Sequence, residues 1–354
     1  MNGVLPQFGP LPMRTALATF VRPTEERLRF IRQLGVEDVI LWGTTFGAPS
    51  GTRESEIDAG ELLAMKRQLE NHGLRLYAVE TLPAPWYDRI ITGAQGAAQQ
   101  ISHFQNSIRA VAAAGVPILG YNWFLHGVWR TSFTAELRGG ARGTAFDLAH
   151  TKDAALTHGR VFQESDFWAN YARFLEAVIP VAEKEGVLLA LHPNDPPVES
   201  IGGVPFLFRN RENFQRAMDL VPSKNHGLTL CLGCWSEMGE HIPDVVRHFG
   251  AHGKIFYVHF QAVQGSVPCF HETFIDEGNY GGFDAWQVLH TLHEVGFRGV
   301  MIPGHVPVME GDVEWRTGES YSGTPYQHPM GGYRARAFTI GYMKGMLRAL
   351  EDAR

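Results

Sequence analysis

Short apolar runs recur along the chain, and each is bounded by glycine, proline or polar residues. Two of them, Val39-Ile40-Leu41-Trp42 and Leu188-Leu189-Ala190-Leu191, are apolar throughout. This pattern is typical of strands that are covered on both faces in a parallel sheet. Eight such runs predict β-strands at residues 14–20, 38–44, 75–81, 117–123, 188–194, 227–233, 255–261 and 299–305.

The segments between these runs have apolar residues at helical spacing. In the first of them, Thr24 is an N-cap residue with Arg27 at the third helical position, and residues 28, 31 and 34 form one apolar face. Gly186 follows the longest helical segment in the position of a C′ glycine. The pattern predicts helices at residues 24–34, 57–72, 98–114, 165–185, 211–220, 237–249, 283–295 and 333–350.

Eight strands that alternate with eight helices predict an α/β protein, the (β/α)₈ or TIM barrel. The last helix uses the end of the chain, so we expect one barrel domain over residues 1–354. Long inserts follow predicted strands 4, 7 and 8, at residues 124–164, 262–282 and 306–332. Because each insert follows a strand, we expect all three on the face of the barrel that carries active sites.

Polar residues that can bind metals occupy the ends of the last four predicted strands: His192, Cys231, His259 and His305. Consecutive members are separated by about one βα repeat, so neighbouring strands would present them side by side. Imidazole and thiolate ligands suit Zn²⁺, Mn²⁺, Fe²⁺ or Co²⁺, and three protein ligands leave positions open for a substrate. The alternative is a polar barrel mouth whose histidines bind a substrate directly. Glu80 and Asn122 end two further strands at the same mouth.

Composition narrows the function classes. The net charge is −6 with 19% charged residues, which offers no basic surface for nucleic acid or an anionic membrane. The first 12 residues lack the basic and apolar regions of a signal peptide, and three cysteines are too few for a disulfide framework. We therefore expect a cytoplasmic protein with reduced thiols.

Cys231 and Cys234 form a C-x-x-C pattern, which is compatible with a redox pair or half of a zinc knuckle. No second C-x-x-C accompanies it. The pair is predicted at a strand end and not at the start of a helix, where a redox thiolate would be stabilised. We therefore favour a role for Cys231 as a metal ligand.

Several short runs of the chain together form a distinctive set: His192-Pro193-Asn194-Asp195-Pro196-Pro197, Tyr121-Asn122-Trp123, Trp129-Arg130-Thr131, Cys231-Leu232-Gly233, Val258-His259-Phe260, Phe270-His271-Glu272-Thr273-Phe274 and Gly341-Tyr342. With these runs the chain resembles the mannonate dehydratase family, over roughly residues 10 to 350. The resemblance implies a xylose-isomerase-like barrel with a manganese-type divalent ion. Members of that family dehydrate D-mannonate to 2-keto-3-deoxygluconate.

By this resemblance, His192, Cys231 and His259 match three of the family's metal ligands. The fourth family ligand is an Asp that precedes a His, and this chain has Gly304 there. His305 matches the family's His thought to act in proton transfer, and Tyr333 resembles its active-site Tyr. We expect either one to act as the base and the other as the acid.

Further residues are expected to bind the substrate. Arg130 resembles a substrate-binding Arg and would hold a carboxylate through its two-pronged guanidinium. The expected substrate-binding set is Asn122, Arg130, Asn194, Asp195 and Glu272. A carboxylate from Glu272, Asp276 or Glu277, a water or the substrate would fill the place left by Gly304.

The expected function is metal-dependent dehydration of a hexonate, with loss of the α-proton and the 3-hydroxyl. The expected ion is Mn²⁺, with Zn²⁺, Co²⁺ or Fe²⁺ as alternatives. A ketose–aldose isomerase, an epimerase or an eliminase acting on a keto-sugar is the second interpretation. A non-catalytic sugar-acid-binding protein is the third. We also expect a homo-oligomer that associates through helical faces.

Overall fold

A computed structural model describes residues 11–19, 23–42, 55–312 and 331–352 of the chain. The strands are β1 (Arg14–Thr19), β2 (Asp38–Trp42), β3 (Arg75–Glu80), β4 (Ile118–Tyr121), β5 (Ser132–Glu136), β6 (Arg142–Asp147), β7 (Leu188–Leu191), β8 (Ser200–Ile201), β9 (Val204–Pro205), β10 (His226–Cys231), β11 (Ile255–His259), β12 (Ala262–Ser266), β13 (Cys269–Thr273) and β14 (Val300–Ile302). The helices are α1 (Glu25–Gln33), α2 (Ala59–Asn71), α3 (Asp88–Thr92), α4 (Ala97–Ala113), α5 (Glu164–Glu185), α6 (Arg211–Leu220), α7 (Leu232–Glu237), α8 (Ile242–Gly250), α9 (Ala285–Glu294) and α10 (Tyr333–Asp352).

Eight strands form a closed parallel barrel in the order β1-β14-β11-β10-β7-β4-β3-β2. The barrel closes where Arg14 and Thr15 of β1 pair with Val300 and Met301 of β14. The fold class predicted from the apolar runs is confirmed. Because all eight strands are parallel, their carboxyl ends lie at one rim of the barrel, where active sites of this architecture are built.

Local signals at the helix ends act as the sequence predicts. The Thr24 side chain accepts a hydrogen bond from the Arg27 N–H at 3.2 Å, so Thr24 is the N-cap of α1. Gly186 ends α5 with φ of 71°, a left-handed conformation that favours glycine. None of the helices in the described ranges is long and apolar enough to cross a bilayer.

The helix predicted at residues 237–249 is present but begins later, at Ile242 of α8, and the predicted start falls at the end of a separate helix, α7. Gly239 separates them with φ of 76°. α7 begins directly after β10, and Cys231 is its N-cap residue. The expectation that the C-x-x-C pair stands away from a helix start is therefore wrong.

A second sheet, in the order β12-β13-β6-β5, lies outside the barrel and was not predicted. It joins the insert after β4 to the insert after β11, through antiparallel pairing of β6 with β13. Phe146 and Phe270 are register partners in this pairing, and their rings stack at 5.4 Å between centroids. The short hairpin β8–β9 was also missed, and most of the insert after β14 lies outside the described residues.

Asp38 stabilises the opposite rim of the barrel, at the start of β2. It accepts hydrogen bonds from the Arg14 Nε at 2.6 Å and from the Arg75 Nη2 at 2.8 Å. Burial alone would raise the pKa of Asp38, but the two guanidinium groups outweigh burial and lower it. The three side chains tie the first three barrel strands together.

We predict that Asp38→Asn lowers the free energy of unfolding by about 3–5 kcal/mol at neutral pH, since it leaves two guanidinium groups without their carboxylate. Because the folded-state pKa is depressed, the contribution of Asp38 is complete above its unfolded pKa of about 3.9 and is lost as the pH falls further. Urea unfolding at several pH values measures this. Asp244→Asn, at an exposed ion pair on α8, is the control and should change stability by about 0.5 kcal/mol or less. Equal effects of the two substitutions would contradict the prediction.

Candidate metal centre and its surroundings

Three of the predicted metal ligands lie together at the carboxyl rim. One ligand atom each from His192, Cys231 and His259 can be chosen so that all three lie within 4.8 Å of one another. They come from the ends of β7, β10 and β11, which are neighbours in the barrel. The rings of His192 and His259 have centroids 5.1 Å apart. Two imidazoles and a thiol at these distances fit a borderline divalent ion.

Glu80 fixes the orientation of one of these ligands. Its Oε2 lies 3.0 Å from the His259 Nε2, and both side chains are buried. β3 and β11 stand on opposite sides of the ring of strands, so this hydrogen bond spans the barrel interior. A carboxylate that accepts from one ring nitrogen sets the histidine tautomer and leaves the other nitrogen for a metal. The sequence predicted that Glu80 lies at the mouth of the barrel but did not indicate this function.

The charges within the three ligands favour a thiolate. Burial alone would raise the pKa of Cys231, but hydrogen bonds with Cys234, His192 and His259 lower it well below its usual value. Burial alone would lower the pKa of His259, whereas Glu80 and Cys231 raise it to about 10. His192 Nδ1 lies 2.7 Å from the Pro193 carbonyl oxygen, which orients the second imidazole. A thiolate is the form of cysteine that binds metals.

Arg130 lies in a network of buried carboxylates. Its Nη1 and Nη2 donate to the two oxygens of Asp195, and Nη2 also donates to the Glu272 Oε1 at 2.8 Å. The remaining donors contact the Thr144 hydroxyl and the Trp129 carbonyl. All five N–H donors of the guanidinium are therefore used within the protein. A substrate carboxylate would compete with these contacts.

The same network reaches His305. Its Nδ1 lies 2.6 Å from the Glu272 Oε1, the oxygen that also accepts from Arg130. A chain of polar contacts thus runs from Asp195 through Arg130 and Glu272 to His305. The neighbouring residues Asp276 and Glu277 pair with Arg138 instead. None of these three carboxylates stands in the place that Gly304 leaves open.

Gln261 occupies the space beside Gly304. A Cβ added to Gly304 would lie 2.7 Å from the Gln261 Oε1, and a Cβ on Gly233 would lie 2.6 Å from its Nε2. The Oε1 accepts a hydrogen bond from the His305 backbone N–H at 3.0 Å. The two glycines thus leave room for one carboxamide, which holds the backbone of His305.

The predicted substrate-binding asparagines have different surroundings. The Asn122 Oδ1 is buried without a hydrogen-bond partner in the described part of the chain. The Asn194 side chain is fully buried, donates to the Trp123 carbonyl at 3.2 Å and accepts from the Phe208 N–H at 2.6 Å. Asn122 therefore keeps one unused acceptor oxygen, while Asn194 fixes the loop after β7.

Tyr333 begins α10, and its hydroxyl contacts the buried guanidinium of Arg27 on α1. Its ring meets the edge of Phe30 at 4.6 Å between centroids. The side chain is thus held between the first and last helices of the barrel. Residues 313–330, which precede this helix, lie outside the described residues.

Sequence reasoning missed three buried polar residues near the predicted metal ligands: Cys234 as a partner of Cys231, Glu237 and Gln261. Burial and the nearby Asp195 raise the pKa of Glu237 well above its usual value, although Arg130 opposes them. Their positions in the sequence could have indicated two of them as residues of the barrel mouth. Gln261 lies two residues after His259, and Glu237 lies six residues after Cys231 in a mostly apolar segment.

We predict that Glu80→Gln weakens metal binding by about 10–100-fold, because the amide is a poorer acceptor for the His259 N–H. Competition between the protein and a chromophoric chelator for Co²⁺ measures the affinity. Glu70→Gln, an exposed carboxylate on α2, is the control. An unchanged affinity in correctly folded Glu80→Gln would show that Glu80 does not support the metal ligand.

We predict that Gly304→Ala lowers the free energy of unfolding by about 1–3 kcal/mol, since the new methyl group would overlap Gln261. In a Gln261→Ala background the loss should shrink by about 1 kcal/mol or more, because the pair is in contact. Gly341→Ala is the control, as no heavy atom lies within 4 Å of its Cβ position. Strictly additive effects at 304 and 261 would contradict the contact.

Comparison with known proteins agrees with this geometry. The sequence profile of D-mannonate dehydratase (UxuA) matches residues 13–159 and 152–354. Mannonate dehydratase 2 of Halalkalibacterium halodurans is 25% identical over 326 residues, which cover 85% of this chain and 92% of that protein. The mannonate dehydratase of Oceanobacillus iheyensis is 27% identical over 320 residues, covering 81% and 84% respectively.

Solved structures show the same fold. The crystal structure of mannonate dehydratase from Streptococcus suis serotype 2 has a TM-score of 0.84 at 23% identity, covering 97% of this chain and 95% of that one. A structure of L-ribulose 3-epimerase has a TM-score of 0.58 at 16% identity, covering 96% and 97% respectively. The barrel is thus of the xylose-isomerase-like kind. Since the profile spans nearly the whole chain, the protein belongs to the D-mannonate dehydratase family.

Proposed function

We propose that this protein is a metal-dependent hydro-lyase that converts a hexonate such as D-mannonate to its 2-keto-3-deoxy acid. The single observation that carries the proposal is the convergence of His192, Cys231 and His259 at the carboxyl rim of the barrel. Membership of the D-mannonate dehydratase family supports sugar-acid dehydration as the reaction.

The two imidazoles and the thiolate would hold the ion, and this donor set fits a borderline divalent metal. When bound, the ion would supply a Lewis acid that stabilises negative charge developing at the substrate carboxylate. We propose Mn²⁺, with Zn²⁺, Co²⁺ and Fe²⁺ as the ions to compare with it. Glu80 orients His259 for this purpose through the hydrogen bond across the barrel.

Proton transfer is proposed for His305 and Tyr333. Dehydration removes the proton α to the carboxylate and protonates the departing 3-hydroxyl, so it needs a base and an acid. Glu272 accepts at the His305 Nδ1 and orients the ring, so the proton would be exchanged at Nε2. Tyr333, held beside Arg27, is the second proton-transfer group.

Substrate binding is proposed for two kinds of residue. Asn122 would accept a hydrogen bond from a sugar hydroxyl through its buried Oδ1. Arg130, Asn194, Asp195 and Glu272 would shape the site, since their side chains already contact one another or the backbone. For Arg130, direct contact with a substrate carboxylate stays a prediction that requires a partner to be displaced.

One observation favours a second reaction class. Beside Gly304 the chain presents the neutral carboxamide of Gln261 and not a carboxylate. We propose that this difference from the family pattern favours a change of substrate, with an isomerase, an epimerase or a keto-sugar eliminase acting on a related sugar as the second interpretation of the site. We also propose, from the sequence alone, a cytoplasmic homo-oligomer without nucleic-acid or membrane partners.

Purified protein loaded with Mn²⁺ should form a 2-keto acid from D-mannonate, as measured by a colorimetric assay and by NMR in D₂O. His305→Gln should lower kcat by about 10²–10⁴-fold with metal content retained, because a general acid or base is removed. His290→Gln on the exposed face of α9 is the matched control and should leave kcat unchanged.

The variants Cys231→Ala and His259→Ala should each bind much less metal than the wild type, because each lacks one proposed ligand. Elemental analysis of the purified variants measures the bound metal.

The outcomes separate the alternatives. No product from fully metallated wild-type protein would dismiss dehydration of this substrate. Exchange of a carbon-bound proton for deuterium without loss of water, in a survey of sugar acids and keto-sugars, would favour an epimerase or isomerase. Saturable binding of a sugar acid without turnover would indicate a binding protein.

A further inference from the structure

A second group of metal-ligating side chains lies beside the three proposed ligands. One ligand atom each from Asp195, Cys234 and Glu237 can be chosen so that these atoms lie within 4.8 Å of one another. All three residues are buried. Asp195 comes from the loop after β7, while Cys234 and Glu237 come from α7. We call this group the Asp195–Cys234–Glu237 cluster.

Glu237 is the unusual member of the cluster. It is 0% exposed, and neither of its carboxyl oxygens has a hydrogen-bond partner among the residues described. The Arg130 Nη2 lies 3.5 Å from its Oε1, outside hydrogen-bonding geometry. A buried carboxylate without a donor is strongly unfavourable unless an ion or a proton balances it.

Charge counting gives the same result. Arg130 is in ion-pair contact with three buried carboxylates, those of Asp195, Glu237 and Glu272. Arg130 donates hydrogen bonds to Asp195 and Glu272 but not to Glu237. The Glu237 carboxylate is therefore the least stabilised of the three by this guanidinium. Among these four groups, full ionisation would leave two negative charges in excess. With Cys234 ionised as well the excess is three charges, of which a divalent cation would offset two and a proton only one.

We propose that the Asp195–Cys234–Glu237 cluster binds a second divalent cation of the borderline class, such as Zn²⁺ or Co²⁺, through two carboxylates and a thiolate. Carboxylate and thiolate ligands are used together by such ions. The hydrogen bonds from Arg130 leave lone pairs on the Asp195 oxygens, since an ionised carboxylate offers about four acceptor sites. Metal coordination would deprotonate the buried Cys234 thiol.

The second ion would lie next to the first centre, because Cys231 and Cys234 contact each other. It would balance Glu237 and so leave Arg130 to Asp195 and Glu272. Through Glu272 it would act on His305, whose ring that carboxylate orients. The proposed role of the second ion is therefore to hold in place the chain of polar contacts that ends at His305.

The test counts ions and needs no turnover. The purified full-length protein is stripped with a chelator, dialysed against Co²⁺ and analysed by elemental analysis and by its thiolate-to-cobalt absorption band. We expect two tightly held ions per wild-type chain and one in Glu237→Gln. In Cys234→Ser the thiolate band should fall to about half, since one of two sulfur ligands is removed. Cys269→Ser, at an exposed cysteine, is the control and should retain both ions.

Each outcome decides the proposal. Saturation of the wild type at one ion that Cys231→Ser loses, or an unchanged ion count in a folded Glu237→Gln, would overturn it and leave a proton as the counter-charge of Glu237. Circular dichroism and thermal unfolding verify that each variant folds. Cys231→Ser should lose the first ion and keep the second. If it instead loses none, the first centre fails independently of this proposal.

Discussion

Closure of the barrel between β1 and β14 is the constraint on which the rest of the molecule depends. The pairing of Arg14 with Val300 and of Thr15 with Met301 places the last strand beside the first. It thereby fixes every carboxyl end at one rim, including those of strands far apart in the chain. Only in a closed ring can Glu80 on β3 reach His259 on β11 across the interior. Long-range pairing of this kind provides the rigid support that a catalytic site needs.

The barrel strands and the convergence of three proposed metal ligands were predictable because both follow from local pattern. A strand covered on both faces is a short apolar run, and its carboxyl end has a fixed direction in a parallel sheet. His192, Cys231 and His259 therefore needed no knowledge of distant contacts. Thr24 and Gly186 were predictable for the same reason, since a cap depends on a few neighbouring residues. The split between α7 and α8 was missed because one glycine inside a helical pattern is a weak signal.

The surroundings of the site could not be predicted, because they are made by contacts between distant segments. Arg130 precedes β5, Asp195 follows β7 and Glu272 is in β13, and no periodicity relates these positions. The resemblance suggested an arginine that binds the substrate, whereas the structure surrounds its guanidinium with protein acceptors. Likewise, the sequence showed that Gly304 stands where the family pattern has an Asp, but only the folded chain shows that Gln261 fills the space beside it.

The outer sheet makes two inserts depend on each other. β6 and β13 belong to inserts after different barrel strands, yet they pair residue by residue and bring Arg130 together with Glu272. Loss of either insert would leave an unpaired sheet edge and a buried charge without its partner. A change of shape in one insert therefore requires a matching change in the other, although the two are far apart in the chain.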